Sequence, residues 1–291
     1  MFTKRTWEDV LLQSAPKELT LELKGVHSQK LLLWEPVNRT FIRACGAEFI
    51  AMVFFVTLCC GNAMGENHPE DPSLIKIASS FGFAILAIAQ FVGPLSGGHI
   101  NTAVSLSLWI DGRISLFRFI SYTISQMLGS IAGAFILWAI FGNNWPSARA
   151  FGSNSWDPDV FNDGNVFFGE MVGTGILILT VFATIDHPSG NGGPLGAFPI
   201  AMSVLVAHLF LLPIDGCSIN PTRSFGPCVV AIAAGIPGDY RKQHYMFWIG
   251  PYAGSLAACT LYILSKKLAD PVKAPLGERE GEESEHDKEK V

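Results

Sequence analysis

The sequence predicts an all-α membrane protein with six transmembrane helices and two short re-entrant half-helices, arranged as an inverted repeat. Three observations support this prediction. Of the 291 residues, 49% are hydrophobic and only 15% are charged, against about 25% charged residues in a soluble domain. Between the charged ends lie six apolar segments of about 20 residues, the length that crosses a bilayer. Two further apolar segments are too short to cross, and each begins at an Ile-Asn pair.

The domain organisation follows from this pattern. Residues 1–40 form a polar, cytosolic arm of mixed charge; a solvated tail is the simpler interpretation, and an arm that lies on the membrane surface or folds against the cytosolic mouth is the alternative. Residues 266–291 form an acidic cytosolic tail with too few apolar residues to fold. The membrane domain covers residues 41–265, with one repeat over about 41–141 and the other over about 165–265. The predicted spans are 41–62, 74–92, 116–141, 166–185, 195–214 and 245–264, and the predicted half-helices are 101–110 and 220–234.

The charges predict how the chain is inserted. Lys and Arg residues are more numerous in the segments on the same side as the two termini, so both termini are expected in the cytosol. The first 33 residues lack the continuous apolar core of a signal peptide, and the first span is therefore expected to act as its own insertion signal. We expect the protein in the plasma membrane.

The two short apolar segments start alike, and each start suits a helix N-terminus. The side-chain oxygens of Asn101 and Asn220 are typical helix caps. Because each half of the chain has three spans, an odd number, the second half is inserted upside down relative to the first. The half-helices are then expected to meet near the midplane, where their positive dipole ends and Asn amides orient a water oxygen and disfavour a cation. The two motifs are Asn101-Thr102-Ala103 and Asn220-Pro221-Thr222.

Three charged residues of the predicted membrane domain, Glu48, Glu170 and Arg223, are related to the two motifs by their spacing. Glu48 lies in the first span, 53 residues before Asn101, and Glu170 lies at the equivalent place, 50 residues before Asn220. Ionisable residues at this depth indicate function by default. Arg223, about one helical turn after Asn220, is expected at a narrow aqueous constriction. A structural ion pair with a carboxylate of a span is the alternative interpretation.

The sequence contains no signature of an enzyme. None of the six cysteines lies in a CxxC pattern, so neither a metal site nor a disulfide framework is implied. No nucleotide-binding motif, metal cluster or nucleophile–base pair is present. We therefore expect no catalytic activity, no cofactor and no nucleic-acid partner. The expected partners are membrane lipid and a permeating molecule.

The order of spans, the two Asn-centred half-helices and the Arg after the second motif resemble the aquaporin (major intrinsic protein) family over about residues 41–264. The resemblance implies a right-handed six-helix bundle with two half-helices, assembled as a homotetramer with one water-selective pore per subunit. It also implies that Glu48 and Glu170 hold the loops before the half-helices. By position, the family's selectivity filter falls on Phe81, His208, Cys217 and Arg223.

The chain departs from the family at both motifs, where the family repeats Asn-Pro-Ala. Thr102 replaces Pro and Thr222 replaces Ala, and we expect both changes to be tolerated because neither removes an Asn cap. His99 is expected to line the cytosolic vestibule. His187 lies in a cytosolic loop and is a candidate pH sensor, although a solvated loop histidine is the simpler interpretation.

Other functions stay open at this point. A channel that also passes hydrogen peroxide, ammonia or urea is compatible with Cys217 and with the altered motifs. An ion-coupled secondary transporter also uses inverted repeats and broken helices. A junction or adhesion protein would present the polar loop 142–165, which carries two Trp residues.

Overall fold

A computed structural model describes residues 19–23, 29–64, 73–142, 147–188 and 196–268 of the chain. The helices are α1 (Arg39–Met64), α2 (Leu74–Ser96), α3 (Thr102–Ile110), α4 (Leu116–Phe141), α5 (Asp163–Ile185), α6 (Ala197–Asp215), α7 (Pro221–Ala233), α8 (Tyr240–Gln243) and α9 (Met246–Leu268). Two strands, β1 (Leu19–Leu23) and β2 (Gln29–Trp34), precede them, and a 3₁₀ segment (Ser147–Gly152) lies between α4 and α5.

Six helices of the described chain are long and apolar enough to cross a membrane, namely α1, α2, α4, α5, α6 and α9. Their outer faces carry large apolar side chains. Phe54, Phe83, Ile124 and Phe210 are each between 51% and 58% exposed. A surface this apolar is suited to lipid rather than water. The six predicted spans are confirmed, and the protein is a multi-pass integral membrane protein.

The helices pair in the same way in the two halves of the chain. α1 packs on α2 and α4, as α5 packs on α6 and α9, and α2 and α6 pack on each other between the halves. Each half-helix packs on the last span of the other half: α3 on α9, and α7 on α4. This is the pairing that an inverted repeat requires, and it brings both half-helices into the centre of the bundle.

Two glycines allow the paired spans to approach closely. A Cβ atom at Gly129 in α4 would lie 2.2 Å from the carbonyl oxygen of Phe49 in α1. At the equivalent place in the second half, a Cβ at Gly254 would lie 2.3 Å from the carbonyl oxygen of Met171. No side chain fits at either crossing.

A serine after each of these glycines attaches a span to the half-helix of the other half. The Gly226 N–H in α7 donates to Ser130 Oγ at 3.1 Å. The Ser255 hydroxyl in α9 donates to the Ala103 carbonyl in α3 at 2.7 Å. These bonds fix the depth of each half-helix within the bundle.

Some helix ends differ from the predicted ones because capping bonds lie outside the apolar run. α5 begins at Asp163 rather than 166, because Asn162 and Asn165 form a reciprocal capping box. α2 continues to Ser96 rather than 92, and it ends where Gly97 adopts a left-handed conformation with φ 92°.

The N-terminal arm contains a hairpin that the sequence analysis did not predict. β1 pairs antiparallel with β2, with Thr20 opposite Leu32. Glu35 then pairs with Arg118 in the first turn of α4. The arm was expected to be solvated, but here it is folded onto the membrane domain. Residues 1–18 and the acidic tail beyond 268 lie outside the described residues.

Candidate functional site

The two half-helices meet end to end, and each reaches across to the other. The Asn101 side-chain amide donates to the Ile219 carbonyl at 2.8 Å. In the reciprocal bond, the Asn220 side-chain amide donates to the Ile100 carbonyl, also at 2.8 Å. Because each bond joins the loop of one half to the asparagine of the other, the two N-termini are held against each other.

The same two asparagines cap the half-helices. Asn101 Oδ1 accepts the Ala103 N–H at 2.8 Å, and Asn220 Oδ1 accepts the Arg223 N–H at 3.2 Å. Both residues have the extended backbone of a helix cap. The unsatisfied N–H groups and the positive dipole ends of α3 and α7 therefore point at one place in the middle of the bundle.

The residue before each asparagine has a strained backbone. Ile100 and Ile219 have φ angles of 56° and 44°, in the left-handed region that a β-branched side chain rarely enters. Their N–H groups are held by buried carboxylates: Ile100 donates to Glu48 at 2.8 Å and Ile219 donates to Glu170 at 2.6 Å. This strained backbone turns the two isoleucine carbonyls toward the asparagine side-chain amides, from which they accept hydrogen bonds.

Each carboxylate accepts a second N–H from the same loop. His99 donates its backbone N–H to Glu48 at 2.9 Å, and Ser218 donates to Glu170 at 2.7 Å. Both carboxylates are 0% exposed. They are thus equivalent supports for the two loops that carry the asparagines.

Beyond these bonds, the two carboxylates have different neighbours, which the sequence analysis did not identify. Glu48 also accepts from the Ser96 hydroxyl at 2.6 Å and from the Gln126 side-chain amide at 2.8 Å. Glu170 instead lies beside a second carboxylate, Asp215, which is 1% exposed. The support under the first loop is therefore richer in donors than the support under the second.

A cavity of about 710 Å³ runs to the place where the half-helices meet. Asn101 and Asn220 both line it. Each of their amide nitrogens carries two N–H bonds, of which one is used by an isoleucine carbonyl. His99 lines the same cavity, with Nδ1 2.9 Å from Ser105 Oγ. The cavity thus combines apolar walls with a few hydrogen-bonding groups near its centre.

Phe81, His208 and Arg223 come together at one end of this cavity. The Phe81 and His208 rings stack with centroids 4.0 Å apart and planes inclined by 27°. The guanidinium carbon of Arg223 lies 5.0 Å from the centre of the Phe81 ring. All three residues are at most 2% exposed, and His208 lines the cavity. Phe81 thus packs against both His208 and Arg223 at the point where His208 lines the cavity.

The polar atoms of this group are arranged to interact with something other than protein. His208 Nδ1 lies 2.8 Å from the Val204 carbonyl, which fixes the proton of a neutral imidazole on Nδ1. Among the described residues, His208 Nε2 and Arg223 Nε are buried and have no hydrogen-bond partner. The group thus contains one acceptor and one donor that no described protein group satisfies.

Arg223 is held by the polar loop between α4 and α5. Its Nη1 donates to the Gly152 carbonyl at 2.8 Å and to Asn154 Oδ1 at 2.5 Å. These partners are a carbonyl and an amide, so the expected alternative of an ion pair with a span carboxylate is not what holds the guanidinium. The sequence analysis did not identify Gly152 and Asn154 as site residues.

The same loop is fixed in place and partly buried. Asn154 donates to the Asp215 carbonyl at 3.3 Å, and Trp156 exchanges two hydrogen bonds with the Gln243 side chain, at 3.1 and 2.9 Å. Trp156 is only 6% exposed. Trp145 lies outside the described residues. In its described part, the loop is built to support Arg223 rather than to display Trp156 to a partner.

Cys217 and Pro221 lie in the second loop and at the start of α7. Cys217 is 0% exposed, has a left-handed φ of 54°, and donates its N–H to Asp215 Oδ1 at 2.8 Å. Pro221 is the first residue of α7, where a missing N–H costs nothing.

The two threonines that distinguish the motifs occupy different surroundings. Thr102 is 0% exposed, and its hydroxyl lies 2.6 Å from Thr123 Oγ1 and 3.1 Å from the Tyr252 hydroxyl, on α4 and α9. Thr222 is also 0% exposed, but its hydroxyl lies against the Asn220 side chain. The first threonine thus contacts flanking spans, whereas the second contacts the central asparagine.

An ionic cluster joins the ends of α3, α5 and α9 beside Arg113, which lines the cavity. Arg113 pairs with Asp111 at 2.6 Å and with Asp186 at 2.8 Å, and Lys266 pairs with Asp186 at 2.7 Å. Burial alone would raise the pKa of Asp186, but hydrogen bonds from Lys266, Tyr262 and Arg113 lower this pKa to about 2. Asp186 is therefore ionised at any physiological pH.

His187 follows this cluster and is exposed. Residues 189–195 of its loop lie outside the described part of the chain. A role in sensing pH stays a prediction. Among the described residues, no group of three His, Cys, Asp or Glu side chains is close enough to hold a metal ion.

Comparisons with known proteins agree with this geometry. A family profile described as Major intrinsic protein matches residues 35–262. The chain is 36% identical to Aquaporin-1 of Canis lupus familiaris over 243 residues, which is 80% of this chain and 86% of that protein. It is 37% identical to Aquaporin-5 of Sus scrofa over 259 residues, which is 86% of this chain and 92% of that protein.

The fold is also similar to a solved structure. The X-ray structure of the aquaglyceroporin from Plasmodium falciparum superposes with a TM-score of 0.66 at 22% identity. The superposition covers 76% of this chain and 95% of that chain. It supports the arrangement of the helices and carries no information on what passes through.

Proposed function

Because this chain belongs to the major intrinsic protein family and is an aquaporin-type membrane channel rather than an enzyme, we propose that it is a passive channel selective for water. The observation that carries the proposal is the joint presence of two features along one cavity. The capping asparagines Asn101 and Asn220 meet at the centre, and the stacked pair Phe81 and His208 with Arg223 narrows one end.

The centre of the cavity favours a neutral molecule with an acceptor atom. Asn101 and Asn220 present amide N–H groups there, and the half-helices add two positive dipole ends. A water oxygen accepts these donors, whereas a cation meets positive potential from both sides. Positive half-helix ends are a known means of excluding protons and cations from a pore.

We assign the selectivity filter to Phe81, His208, Cys217 and Arg223. The unpartnered His208 Nε2 accepts from a passing water and Arg223 Nε donates to it. The stacked rings limit the width of the opening, so a polyol with its carbon backbone is excluded. The curated relatives are named aquaporins, and their similarity to this chain supports water as the permeant.

We extend the proposal to topology and assembly. Both termini lie in the cytosol, the protein resides in the plasma membrane, and four copies assemble with one pore each. On this topology the end with Phe81, His208 and Arg223 faces outward, and the part of the cavity lined by His99 and Arg113 faces the cytosol. His187 then lies in the cytosolic loop, and an unchanged pH response of water flux in His187→Ala would exclude it as a sensor.

Stopped-flow light scattering on proteoliposomes tests the function. Under a sucrose gradient, vesicles with the protein are expected to shrink several-fold faster than empty vesicles. Under gradients of glycerol or urea, the solute is expected to enter both kinds of vesicle at the same rate. Rapid glycerol, urea or hydrogen peroxide entry would contradict water selectivity. Saturable uptake that follows an ion gradient would contradict the channel itself.

A further inference from the structure

The second motif contains a hydroxyl that touches the central asparagine, and the first motif does not. Thr222 Oγ1 donates to Asn220 Oδ1 at 2.8 Å. At the matching position after Asn101 stands Ala103, which has no polar side chain. The central asparagines are therefore held by different means in the two halves.

The capping distances show that this difference has a consequence. Asn101 Oδ1 accepts the Ala103 N–H at 2.8 Å, a full-strength bond. Asn220 Oδ1 accepts the Arg223 N–H at 3.2 Å, at the long end of the range for such bonds. Of the two hydrogen bonds to Asn220 Oδ1, the one from the Thr222 hydroxyl is therefore the shorter. In the first half, the corresponding short bond comes from the backbone N–H of Ala103.

Gln126 fixes the hydroxyl from its other side. The Gln126 amide nitrogen donates to Glu48 Oε2 at 2.8 Å, so its carbonyl oxygen must point away from Glu48. That oxygen lies 3.3 Å from Thr222 Oγ1. Because a hydroxyl has one hydrogen and Asn220 Oδ1 is the nearer acceptor, the hydrogen is directed mainly to Asn220.

We propose that Thr222 is a positioning residue for permeation: its hydroxyl orients the Asn220 amide, and Gln126 links this amide to the Glu48 carboxylate of the other half. The proposal rests on the proposed function, since orientation matters only if the Asn220 amide meets the permeating molecule. Thr222 itself is 0% exposed and does not line the described cavity. It acts through Asn220.

Removing the hydroxyl has a defined structural result. In Thr222→Val the shape is kept, but among the described residues Asn220 Oδ1 retains only its 3.2 Å bond from the Arg223 N–H, and Gln126 Oε1 loses the hydroxyl that lies 3.3 Å away. The Asn220 side chain is then expected to rotate so that Oδ1 reaches another hydrogen-bond donor. This rotation disturbs the bond from its amide nitrogen to the Ile100 carbonyl. Loss of one such hydrogen bond corresponds to about a fivefold change in a rate.

The test compares three variants with the wild type at equal protein density in proteoliposomes. Thr222→Val is expected to lower water permeability about fivefold. Thr222→Ser keeps the hydroxyl and is expected to restore permeability to within about twofold of the wild type. Thr57→Val is the matched control, because the Thr57 hydroxyl bonds only the Gly133 carbonyl between α1 and α4, at 3.2 Å. It is expected to conduct as the wild type does.

The outcomes separate this proposal from the proposed function. Wild-type permeability in Thr222→Val, or an equal loss in Thr222→Val and Thr222→Ser, would overturn the positioning role and leave the water channel intact. A wild-type protein that conducts no better than empty vesicles would overturn the water channel. If Thr222→Val does not fold, Thr222→Ala also lacks the hydroxyl and carries the same expectation, and wild-type flux in Thr222→Ala overturns the role.

Discussion

The imidazole of His208 stacks on the ring of Phe81 with the two centroids 4.0 Å apart. The Arg223 guanidinium lies over the same ring, at 5.0 Å from its centre. Phe81 therefore contacts both His208 and Arg223, the two polar side chains that we assign to the filter with it. This relationship predicts how the width of the pore responds to substitution.

Phe81→Ala is expected to open the narrow end to glycerol. Glycerol entry should rise several-fold above the wild-type rate, while water permeability stays at or above the wild-type value. Stopped-flow light scattering in a glycerol gradient measures both, because the initial shrinkage reports water permeability and the later swelling reports glycerol entry. Phe54→Ala, which removes an equally large ring from the lipid-facing surface, is the control and should leave glycerol entry unchanged. Glycerol exclusion that persists in Phe81→Ala would argue against this filter.

Glu48→Gln and Glu170→Gln are expected to destabilise the protein to different extents. In each variant a new NH₂ group faces backbone N–H donors. Hydrogen bonds to a charged acceptor contribute roughly 1.5–3 kcal/mol each. Glu48 holds four donors, whereas Glu170 holds two backbone N–H groups, those of Ser218 and Ile219.

The thermal melting temperature in detergent should therefore fall more for Glu48→Gln than for Glu170→Gln. Asp239→Asn, at an exposed pair with Lys242, is the surface control and should change little. Equal melting temperatures for Glu48→Gln and the wild type would show that the carboxylate does not support the first loop.

The attachment of the N-terminal arm is expected to depend on pH only in acid. Burial alone would raise the pKa of Glu35, but hydrogen bonds from Arg118 and Ser115 outweigh it and lower this pKa below the ordinary value of 4.5. A carboxyl with a lowered folded-state pKa stabilises above its unfolded pKa and loses this contribution as pH falls through the folded-state pKa. The arm should therefore stay attached at neutral pH and detach only when the pH falls through the lowered pKa of Glu35.

Hydrogen–deuterium exchange of residues 29–38 measures this attachment. In Glu35→Gln the exchange should be faster at pH 7 and should lack the acid transition. Exchange that is equally slow in this variant and in the wild type at pH 7 would show that the ion pair with Arg118 does not hold the arm.

Cys217 is expected to make the channel sensitive to mercurials. It lies three residues before Asn220 in the second loop, and we assign its buried thiol to the filter. Mercurial treatment should lower water flux in the wild type, and Cys217→Ser should resist it. Flux that persists in the treated wild type would mean that this thiol is turned away from the pore.

The local features of the fold were predictable, because they depend on residues that are close together in the sequence. The six spans follow from the length of the apolar runs, and the half-helix starts follow from the capping asparagines Asn101 and Asn220. The hairpin also had a local signal, the alternation of Leu19, Leu21 and Leu23 with polar residues, which was not used to predict a strand.

The supports of the site were not predictable, because they come from distant parts of the chain. Asn154 lies 69 residues before the arginine that it holds, in a loop whose polar composition suits any solvated segment. Gln126 in the middle of α4 reaches Glu48 and Thr222 only after α4 has packed against both halves. No spacing within the sequence indicates these contacts.

The central claim is that the pore conducts water and excludes cations at the place where the two opposed half-helix ends meet. It is tested most directly by following osmotic shrinkage and internal pH in the same proteoliposomes, with a pH-sensitive dye inside and a proton gradient imposed. The account predicts rapid shrinkage while internal pH changes no faster than in empty vesicles. Rapid collapse of the proton gradient, in proportion to the protein incorporated, would contradict it.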